Sequence, residues 1–317
     1  MKISLVTPAE KHSKAGNRQT AVRWAQILRE LNHKVKVSEQ YDGRNADMMI
    51  AVHAWKSRNS IREFSVAHPD RPLIVLLAGT DIYKFQHSHQ EETYESMYRA
   101  TALVCLHNLV SNAIPKRFKS KLNLIYQSSL PLQELRIPSE VRFEVCVIGH
   151  LREEKDSLRA ALATHLIPKD SNLYIVHLGK AHSPEWEKAA QNETAQNHRY
   201  EWRGEVSHSE VRRQFSRSHA MIISSTMEGG ANVVSEAVVC GVPIIASNID
   251  GNIGLLGENY AGYYEVKNER QLADILQRAE NDPNFLQTLE RQILEKKILF
   301  SPKAELEAWD KLIRGLL

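Results

Sequence analysis

Short, uninterrupted apolar runs recur along the chain and restrict its fold more than any other feature. Met48 to Val52 (MMIAV), Leu73 to Ala78 (LIVLLA) and Ala102 to Leu106 (ALVCL) are each long enough for one strand and show no polar alternation. Segments with helical spacing of apolar residues separate such runs, as at Asn17 to Leu31. Strands buried on both faces and joined through helices indicate parallel sheets covered by helices. The sequence therefore predicts an α/β fold with doubly wound parallel sheets.

The strand–helix alternation restarts near residue 142, after a connecting segment at 131–142 that holds two prolines and several charges. The chain has 317 residues, more than one hydrophobic core usually holds. We predict a Rossmann-like domain at 1–135, a second one at 141–300 and a C-terminal segment at 301–317. Ligands of open parallel sheets bind beyond the carboxyl ends of the strands, so functional residues are expected in the loops there.

Composition argues against several classes of function. The 41 basic and 38 acidic residues nearly balance, unlike the dense basic face of a nucleic-acid binder. No apolar stretch approaches the roughly 20 residues of a membrane span, and the N-terminal apolar run is too short for a signal peptide. Cys105, Cys146 and Cys240 are scattered among apolar residues, as expected of core thiols in a reducing compartment. We predict a cytoplasmic protein that binds small molecules, without nucleic acid and without a membrane span.

The loop after the strand at 143–148 carries residue types that suit an anionic ligand. Gly149 would let a ligand approach the backbone, and Arg152 and Lys155 are predicted to lie at a helix start. Cations there oppose the helix dipole, and a bound diphosphate would offset that conflict. The alternative is a surface loop whose cations pair with neighbouring acidic residues, and this segment alone favours neither interpretation.

A second candidate loop is STMEGGANVVSEAVVCGVP, at 225–243. Gly229 and Gly230 permit tight backbone geometry, and a helix predicted from Asn232 would present free N–H groups. Glu228 in the loop and Glu236 one turn inside the helix have carboxylates that accept hydrogen bonds from sugar hydroxyls. The alternative is a loop charge and a helix-dipole charge, which leaves the glycine pair unexplained.

Glu228 and Glu236, with seven residues between them, resemble the Glu-x7-Glu segment of retaining glycosyltransferases with the GT-B architecture of two Rossmann-like domains facing a central cleft. GHLREEKD (149–156) resembles the phosphate-binding segment of that family, WRGEV (202–206) its base-binding segment, and 301–317 its last helix, which crosses back to the first domain. The resemblance implies a UDP-sugar donor, with Glu228, Arg152 and Lys155 as the catalytic residues. The implied donor-binding residues are Gly149, Arg152, Lys155, Arg203, Glu228, Gly229, Gly230, Ala231, Asn232, Val233 and Glu236.

No metal or other cofactor is expected. The chain contains no Asp-x-Asp motif that would bridge a metal to a diphosphate. Charge on the leaving nucleotide would instead be stabilised by Arg152, Lys155 and a helix N-terminus. One such donor accounts for roughly 3 kcal/mol of a reaction barrier.

The first domain is expected to bind the acceptor. Its first strand-end loop, at 7–20, is cationic and has one glycine where members of the family often have two, which favours a small anion such as a phosphate analogue. A solvated basic loop is the alternative, and a buried histidine without a catalytic role is the alternative for His53. The predicted acceptor-binding residues are Lys14, Gly16, Asn17, Arg18, Thr20, His53, Thr80 and Asp81.

KAGNRQTAVRW, VHAWKS and LLAGTDIY also resemble the selenosugar synthases of selenoneine biosynthesis, which join selenophosphate to the anomeric carbon of a UDP-sugar. This resemblance implies carbon–selenium bond formation with UDP-N-acetylglucosamine or UDP-glucose, and functional coupling to an enzyme that produces selenophosphate. Three alternatives stay open at this point: a glycosyltransferase with an alcohol acceptor, a UDP-sugar epimerase on the same fold, and a non-catalytic nucleotide-sugar-binding protein.

Overall fold

The computed structural model describes residues 1–13 and 15–317, so Lys14, predicted to bind the acceptor, lies outside the described residues. The strands are β1 (Lys2–Val6), β2 (Lys34–Ser38), β3 (Met48–Val52), β4 (Leu73–Leu76), β5 (Ala102–Cys105), β6 (Leu122–Leu124), β7 (Phe143–Ile148), β8 (Leu173–Leu178), β9 (Tyr200–Trp202), β10 (Ala220–Ile223), β11 (Ile244–Ser247) and β12 (Tyr263–Tyr264). The α-helices are α1 (Gly16–Glu30), α2 (Arg58–Ala67), α3 (Gln86–Ser88), α4 (Gln90–Arg99), α5 (Val110–Ala113), α6 (Arg159–Thr164), α7 (Pro184–Gln196), α8 (His208–Arg217), α9 (Asn232–Cys240), α10 (Asp250–Leu256), α11 (Glu269–Asn281), α12 (Pro283–Leu294) and α13 (Pro302–Arg314). A π-helical turn (Asp81–Phe85) and 3-10 turns (Lys116–Lys121, Glu153–Lys155 and Lys297–Phe300) complete the elements.

The described residues form two compact units. The first contains Met1–Ser128, Glu228–Asn232 and Pro302–Leu317, and the second contains Ser129–Met227 and Val233–Ser301. The sequence predicts that the first domain ends at residue 135, whereas the N-terminal segment of the first unit ends at Ser128. The short segment Glu228–Asn232 groups with the first unit, although its position in the chain suggests the second.

The first unit is built on a six-stranded parallel sheet in the order β2-β1-β3-β4-β5-β6. The strand β3 is buried along its whole length because both faces of the sheet are covered. Met48 and Ile50 pack into the cluster on one face, while Met49 and Ala51 pack into the cluster on the other. This two-residue alternation of sides accounts for the uninterrupted apolar strands of the sequence.

The last helix, α13, packs against α1 within the first unit. Trp309 of α13 and Trp24 of α1 are both fully buried, and their ring centroids lie 4.6 Å apart in an edge-to-face arrangement. Aromatic pairs of this geometry add about 0.5–1.5 kcal/mol to the stabilisation from buried area. The C-terminal segment is therefore part of the core of the first unit.

The second unit has a six-stranded parallel sheet in the order β12-β11-β10-β7-β8-β9. The chain enters at β7 in the middle, runs outward to β9, returns to β10 and then runs to the opposite edge. The order reverses between β7 and β10 here, and between β1 and β3 in the first unit, so the loops after these strands diverge and leave a crevice. The predicted α/β fold class, two doubly wound parallel-sheet domains, is confirmed.

The sequence prediction fails most clearly just after β7. The helix predicted from Lys155 begins only at Arg159, after a 3-10 turn and a left-handed Asp156 with φ of 45°. The Ser157 hydroxyl accepts the Arg152 N–H at 3.0 Å, and Asp156 pairs with Arg159 at 2.8 Å. Such local side-chain bonds compete with helix formation. The expectation that Arg152 and Lys155 lie at a helix start is therefore wrong.

Two expectations from composition concern the whole chain. The three cysteines are free and buried, and burial raises the pKa of Cys105 and of Cys146 to about 12. They are core groups, as predicted. Among the residues that the structure describes, no helix combines the length and the apolar character that crossing a bilayer requires.

Candidate functional site

A pocket lies at the strand-order reversal of the second unit, beyond the carboxyl ends of β7, β8 and β10. This is where doubly wound sheets bind their ligands. Gly149 and Lys155, both predicted to bind the donor, are in its wall. The other residues that line it beyond the strand ends are His150, Ser157, Ser224 and Ser225, together with His177 from β8.

The backbone at Gly149 is open. A Cβ at this position would meet no described atom within 4 Å, so packing within the protein does not require the glycine. The Gly149 carbonyl accepts a hydrogen bond from His177 Nε2 at 3.1 Å, and His177 Nδ1 accepts from the Tyr200 hydroxyl at 2.8 Å. Burial lowers the pKa of His177 to about 4, so a neutral imidazole fixes this loop near pH 7.

Arg152 precedes the 3-10 turn Glu153–Lys155, and Lys155 is the last residue of that turn. The Lys155 carbonyl accepts from the Ser224 hydroxyl at 2.9 Å, which anchors the turn to the end of β10. The Arg152 Nε is buried and has no hydrogen-bond partner among the described residues. An unsatisfied buried N–H costs about 1–3 kcal/mol, so this guanidinium suits an added anion. The structure describes no cluster of three or more His, Cys, Asp or Glu side chains that could hold a metal ion.

Arg152 and three other predicted donor residues of this unit are not part of the pocket lining. Arg203 follows β9, and its Nη2 donates to Glu201 at 2.7 Å. That hydrogen bond raises the pKa of Arg203 and commits the guanidinium to a protein partner. Glu236 is half-buried in α9, one turn after Asn232, and the backbone of Val233 lies in the first turn of the same helix.

In the first unit, the loop Glu228–Asn232 lies on the strand ends of β4 and β5. A Cβ at Gly229 would lie 2.4 Å from the backbone of Ala78 and Gly79, and one at Gly230 would lie 2.3 Å from the Leu106 Cβ. No side chain fits at either position. The glycine pair is therefore required by packing, a reason that the sequence did not reveal, and Ala231 beside it is buried.

His107, at the end of β5, was missed by the sequence analysis. Its ring is fully buried, Nε2 lies 3.3 Å from the Tyr83 hydroxyl, and Nδ1 has no hydrogen-bond partner within residues 1–13 and 15–317. Burial lowers the pKa of His107 to about 4, and the backbone and charge of Glu228 oppose that shift. A neutral imidazole thus lies beside the carboxylate predicted to contact the donor sugar. Its position directly after a strand is the signal that could have identified it.

Asp81 ties two strand-end loops together. The carboxylate has no exposed surface, and its oxygens accept four backbone N–H groups at 2.9–3.1 Å, from Ala54, Ala78, Gly79 and Ile82. Both oxygens are thereby occupied. The predicted contact between Asp81 and the acceptor stays a prediction, and it would have to form at a carboxylate that already accepts these four N–H groups.

His53 is buried and adopts a left-handed φ of 78°, a strained conformation that is frequent at functional sites. Its Nδ1 accepts the Lys56 N–H at 3.2 Å, so Nε2 carries the proton and donates to the Thr80 hydroxyl at 2.8 Å. Burial lowers the pKa of His53, while Asp81, 3.6 Å away, opposes that shift. His53 orients the half-buried Thr80 hydroxyl, and Thr80 is the group of this pair that is accessible to a ligand.

The cationic loop of the first unit leads into α1. Ala15 is the N-cap, so Asn17 lies inside the helix and does not cap it, and no acidic residue occupies the first turn. Gly16 is exposed, and the Arg18 Nε is buried without a partner among the described residues. Thr20 is buried, with its hydroxyl 2.7 Å from the Gln127 amide. The Thr20 hydroxyl therefore has a partner within the protein, and its predicted contact with the acceptor stays a prediction.

Comparison with known proteins agrees with this architecture. Among solved structures, HepE of Anabaena, crystallised with UDP and glucose, superposes with a TM-score of 0.78 at 15% identity, covering 99% of this chain and 100% of that one. A sucrose-phosphate synthase of Thermosynechococcus elongatus gives 0.78 at 14% identity, covering 99% and 98%. A glycosyltransferase of Rickettsia africae gives 0.75 at 14% identity, also covering 99% and 98%. At such identities the likeness shows the fold, which is that of GT-B glycosyltransferases.

No curated protein sequence matches the chain significantly. Residues 134–296, just over half of the chain, match the family described as glycosyl transferases group 1. The matched region contains β7 to β12, the pocket at the strand-order reversal and both glutamates of the Glu-x7-Glu segment. The chain therefore belongs to the glycosyl transferases group 1 family.

Proposed function

We propose that this glycosyltransferase transfers the sugar of a UDP-sugar to selenophosphate. Binding of the UDP-sugar is supported by two features at the strand-order reversal of the second unit. The backbone at Gly149 is open, and the nearby Arg152 Nε is buried without a hydrogen-bond partner among the described residues. A diphosphate would satisfy that guanidinium and use the space that a side chain at residue 149 would fill. HepE, which shares the fold, was crystallised with UDP and with UDP-glucose.

The donor residues keep the roles that the family resemblance implies. Arg152 and Lys155 hold the diphosphate, Glu236 the ribose and Glu228 the donor sugar, and UDP-N-acetylglucosamine and UDP-glucose are the candidate donors. Arg152, Lys155 and a helix N-terminus would supply much of the stabilisation of the leaving group without a metal, because one such donor accounts for roughly 3 kcal/mol of the barrier.

The acceptor half rests on the loop that opens α1. Gly16, Asn17 and Arg18 follow β1 at the strand-order reversal of the first unit, without an acidic residue in the first helical turn. In the described part of the chain, the buried Arg18 Nε lacks a hydrogen-bond partner, as the Arg152 Nε does. A small anion with several oxygens, such as selenophosphate, matches an exposed helix start and a guanidinium.

The reaction needs no strong general base. A selenium lone pair of selenophosphate forms the bond to the anomeric carbon while the bond from that carbon to the diphosphate oxygen breaks, and UDP leaves with the electron pair. Hydrolysis of the selenium–phosphorus bond then releases phosphate and the selenosugar. His53 and His107 are buried with lowered pKa values, which suits positioning by neutral imidazoles.

A product assay tests the proposal. The protein is incubated with UDP-N-acetylglucosamine or UDP-glucose and with selenophosphate or phosphate, in the presence and absence of EDTA. We expect equimolar UDP and a selenosugar by mass spectrometry with selenophosphate only, unchanged by EDTA. Absence of a selenosugar with every UDP-sugar contradicts the selenium step. Transfer to an alcohol indicates a conventional glycosyltransferase, and conversion of the UDP-sugar without an acceptor indicates an epimerase.

Arg18→Ala tests the acceptor site separately. Loss of a charge-assisted contact should raise the KM for selenophosphate about tenfold or more and leave the Kd of UDP unchanged. Arg29→Ala, a solvent-exposed change in the last turn of the same helix, is the matched control and should change neither. An equal loss of affinity for UDP and selenophosphate in Arg18→Ala would show that the acceptor binds elsewhere.

A further inference from the structure

Glu305 of α13 is a carboxylate on the apolar face of its helix, with no exposed side-chain surface. Its Oε1 accepts the Trp24 indole N–H at 2.8 Å, and its Oε2 accepts the Ser128 backbone N–H at 2.7 Å and the Ser128 hydroxyl. The Arg23 Nε donates to both oxygens, at 3.3 and 3.1 Å. Apolar residues of similar volume usually hold a helix as well as a buried ion pair does, so docking of α13 alone does not account for this carboxylate.

Arg23 extends the network toward the glycine loop. With Nε on Glu305, its Nη1 donates to Asn232 Oδ1 at 3.0 Å and its Nη2 faces the amide oxygen of Gln127 at 3.0 Å. Every nitrogen of the guanidinium thus has a defined acceptor. A planar fork can bind three groups in fixed directions, and a lysine cannot.

Gln127 connects this fork to the loop backbone. In the amide orientation that satisfies both of its ends, the oxygen accepts from Arg23 and from the Thr20 hydroxyl, and the nitrogen donates to the Gly230 carbonyl at 3.2 Å and to Asn232 Oδ1 at 2.7 Å. The two donors on Asn232 Oδ1 fix the orientation of that amide and leave its Nδ2 on the side of Gly16, 3.8 Å from where a Cβ of Gly16 would be.

The same loop is fixed from its other side by contact with strand ends. Gly229 lies against the backbone of Ala78 and Gly79, and Gly230 against Leu106. These packing contacts limit the distance between the loop and the strand ends, but they are not hydrogen bonds to the Gly230 carbonyl. Gln127 donates to that carbonyl, Gln127 and Arg23 both donate to the Asn232 amide oxygen, and Arg23 in turn donates to Glu305.

We propose that Glu305 is a positioning residue for the loop Glu228–Asn232, and that it acts through Arg23 and Gln127. The proposal rests on the proposed function in one respect, since that function assigns donor contacts to this loop. The C-terminal helix thereby determines the geometry of a loop more than 70 residues earlier in the chain, in addition to covering the core. The partners of Glu305 are hydrogen-bond donors, so Glu305→Gln keeps its size but turns an amide N–H group toward them.

Hydrogen exchange of the ligand-free protein measures loop order directly. We expect Glu305→Gln and Arg23→Lys to exchange faster than wild type in a peptide spanning residues 226–234. Glu307→Gln is the same substitution at an exposed position of the same helix and should exchange as wild type does. Trp309→Phe weakens the packing of α13 on Trp24 but removes no hydrogen bond of the network, so it should lower the Tm and leave the exchange of this peptide unchanged.

Calorimetry with UDP provides the functional measurement. Glu305→Gln and Arg23→Lys should raise the Kd of UDP about tenfold, whereas Glu307→Gln and Trp309→Phe should stay within about twofold of wild type. Unchanged exchange and unchanged Kd in both network variants overturn the positioning role, as does an equal effect in Trp309→Phe. Absence of UDP binding by the wild type overturns the proposed function instead, and the exchange measurement then still decides the role of Glu305 in loop order.

Discussion

At the residue scale, Asp81 shows how backbone N–H groups of the protein can occupy the oxygens of a strand-end carboxylate. Four backbone N–H groups converge on it and solvent does not reach it. Strand-end position predicts a contact between Asp81 and the acceptor, and the structure adds four backbone N–H partners that the sequence did not reveal. An aspartate can accept hydrogen bonds from a substrate or from backbone N–H groups, so the sequence cannot distinguish these two roles.

Asp81→Asn should destabilise the first unit. One amide N–H group must face backbone donors, and an unsatisfied buried group costs about 1–3 kcal/mol, more when a charge is lost. Urea denaturation of the variant should show a loss in that range. Asp47→Asn, where an exposed carboxylate accepts only the Lys2 N–H at 2.7 Å, is the control and should cost less than about 1 kcal/mol. Native stability with weaker acceptor binding in Asp81→Asn would instead support the predicted contact between Asp81 and the acceptor.

Glu236→Ala addresses the ribose assignment at the same scale. Removing the carboxylate that we propose accepts hydrogen bonds from the ribose diol should raise the Kd of UDP about tenfold. Glu187→Ala, on an exposed face of α7, is the matched control in the same unit and should not change the Kd. An unchanged UDP affinity in Glu236→Ala would remove the residue from the donor site.

At the scale of elements, two glycines at strand ends serve opposite purposes. A Cβ at Gly149 meets no described atom within 4 Å, whereas a Cβ at Gly229 would lie 2.4 Å from the backbone of Ala78 and Gly79. The space beside Gly149 is free for a ligand, whereas backbone atoms of Ala78 and Gly79 occupy the space beside Gly229. The sequence does not distinguish the two glycines, because each lies in a loop that follows an apolar strand.

Gly149→Ala and Gly229→Ala should therefore separate stability from binding. Gly149→Ala should leave the Tm within about 2 °C of wild type and weaken UDP binding about tenfold. Gly229→Ala should lower the Tm, because the backbone must move by about 1 Å to remove the overlap. Calorimetry and thermal unfolding of the two variants measure this. Equal UDP affinity in Gly149→Ala and wild type would place the diphosphate elsewhere.

The helix after β7 shows that the spacing of apolar residues predicts a helix but not the residue at which it begins. Apolar spacing identifies α6, but Asp156 and Ser157 form local bonds that delay its start to Arg159. The strand β9 and the short helix α10 carry too few periodic residues to be identified at all. Burial by neighbouring elements, rather than local propensity, stabilises them.

At the scale of the whole molecule, buried histidines make stability depend on pH. His107 in the first unit and His177 in the second have pKa values of about 4, lowered by burial from the ordinary 6.5. The unfolded chain binds these protons below pH 6.5 and the folded protein does not. Each histidine should therefore reduce the free energy of unfolding by about 1 kcal/mol per pH unit as the pH falls from 6.5 to 4.

Urea denaturation at pH 7.5, 6 and 5 measures this dependence. Replacing His177 by Gln should make the pH dependence of the second unit shallower by about 1 kcal/mol per pH unit. His87→Gln, at an exposed position, is the control and should leave the pH dependence unchanged. Identical slopes for wild type and His177→Gln would show that His177 binds its proton in the folded state as readily as in the unfolded chain.

The sequence alone determined the architecture and the family. Apolar strand runs require sheets buried on both faces, a local and additive property, and the Glu-x7-Glu segment lies within one strand–loop–helix unit. Only the tertiary structure decided which strand-end groups are accessible, because accessibility depends on neighbours distant in the chain. The Glu228–Asn232 loop joins the first unit, Asp81 is occupied by backbone N–H groups, and Glu305 reaches Gly230 through Arg23 and Gln127. Each of these contacts spans a sequence separation that no local pattern records.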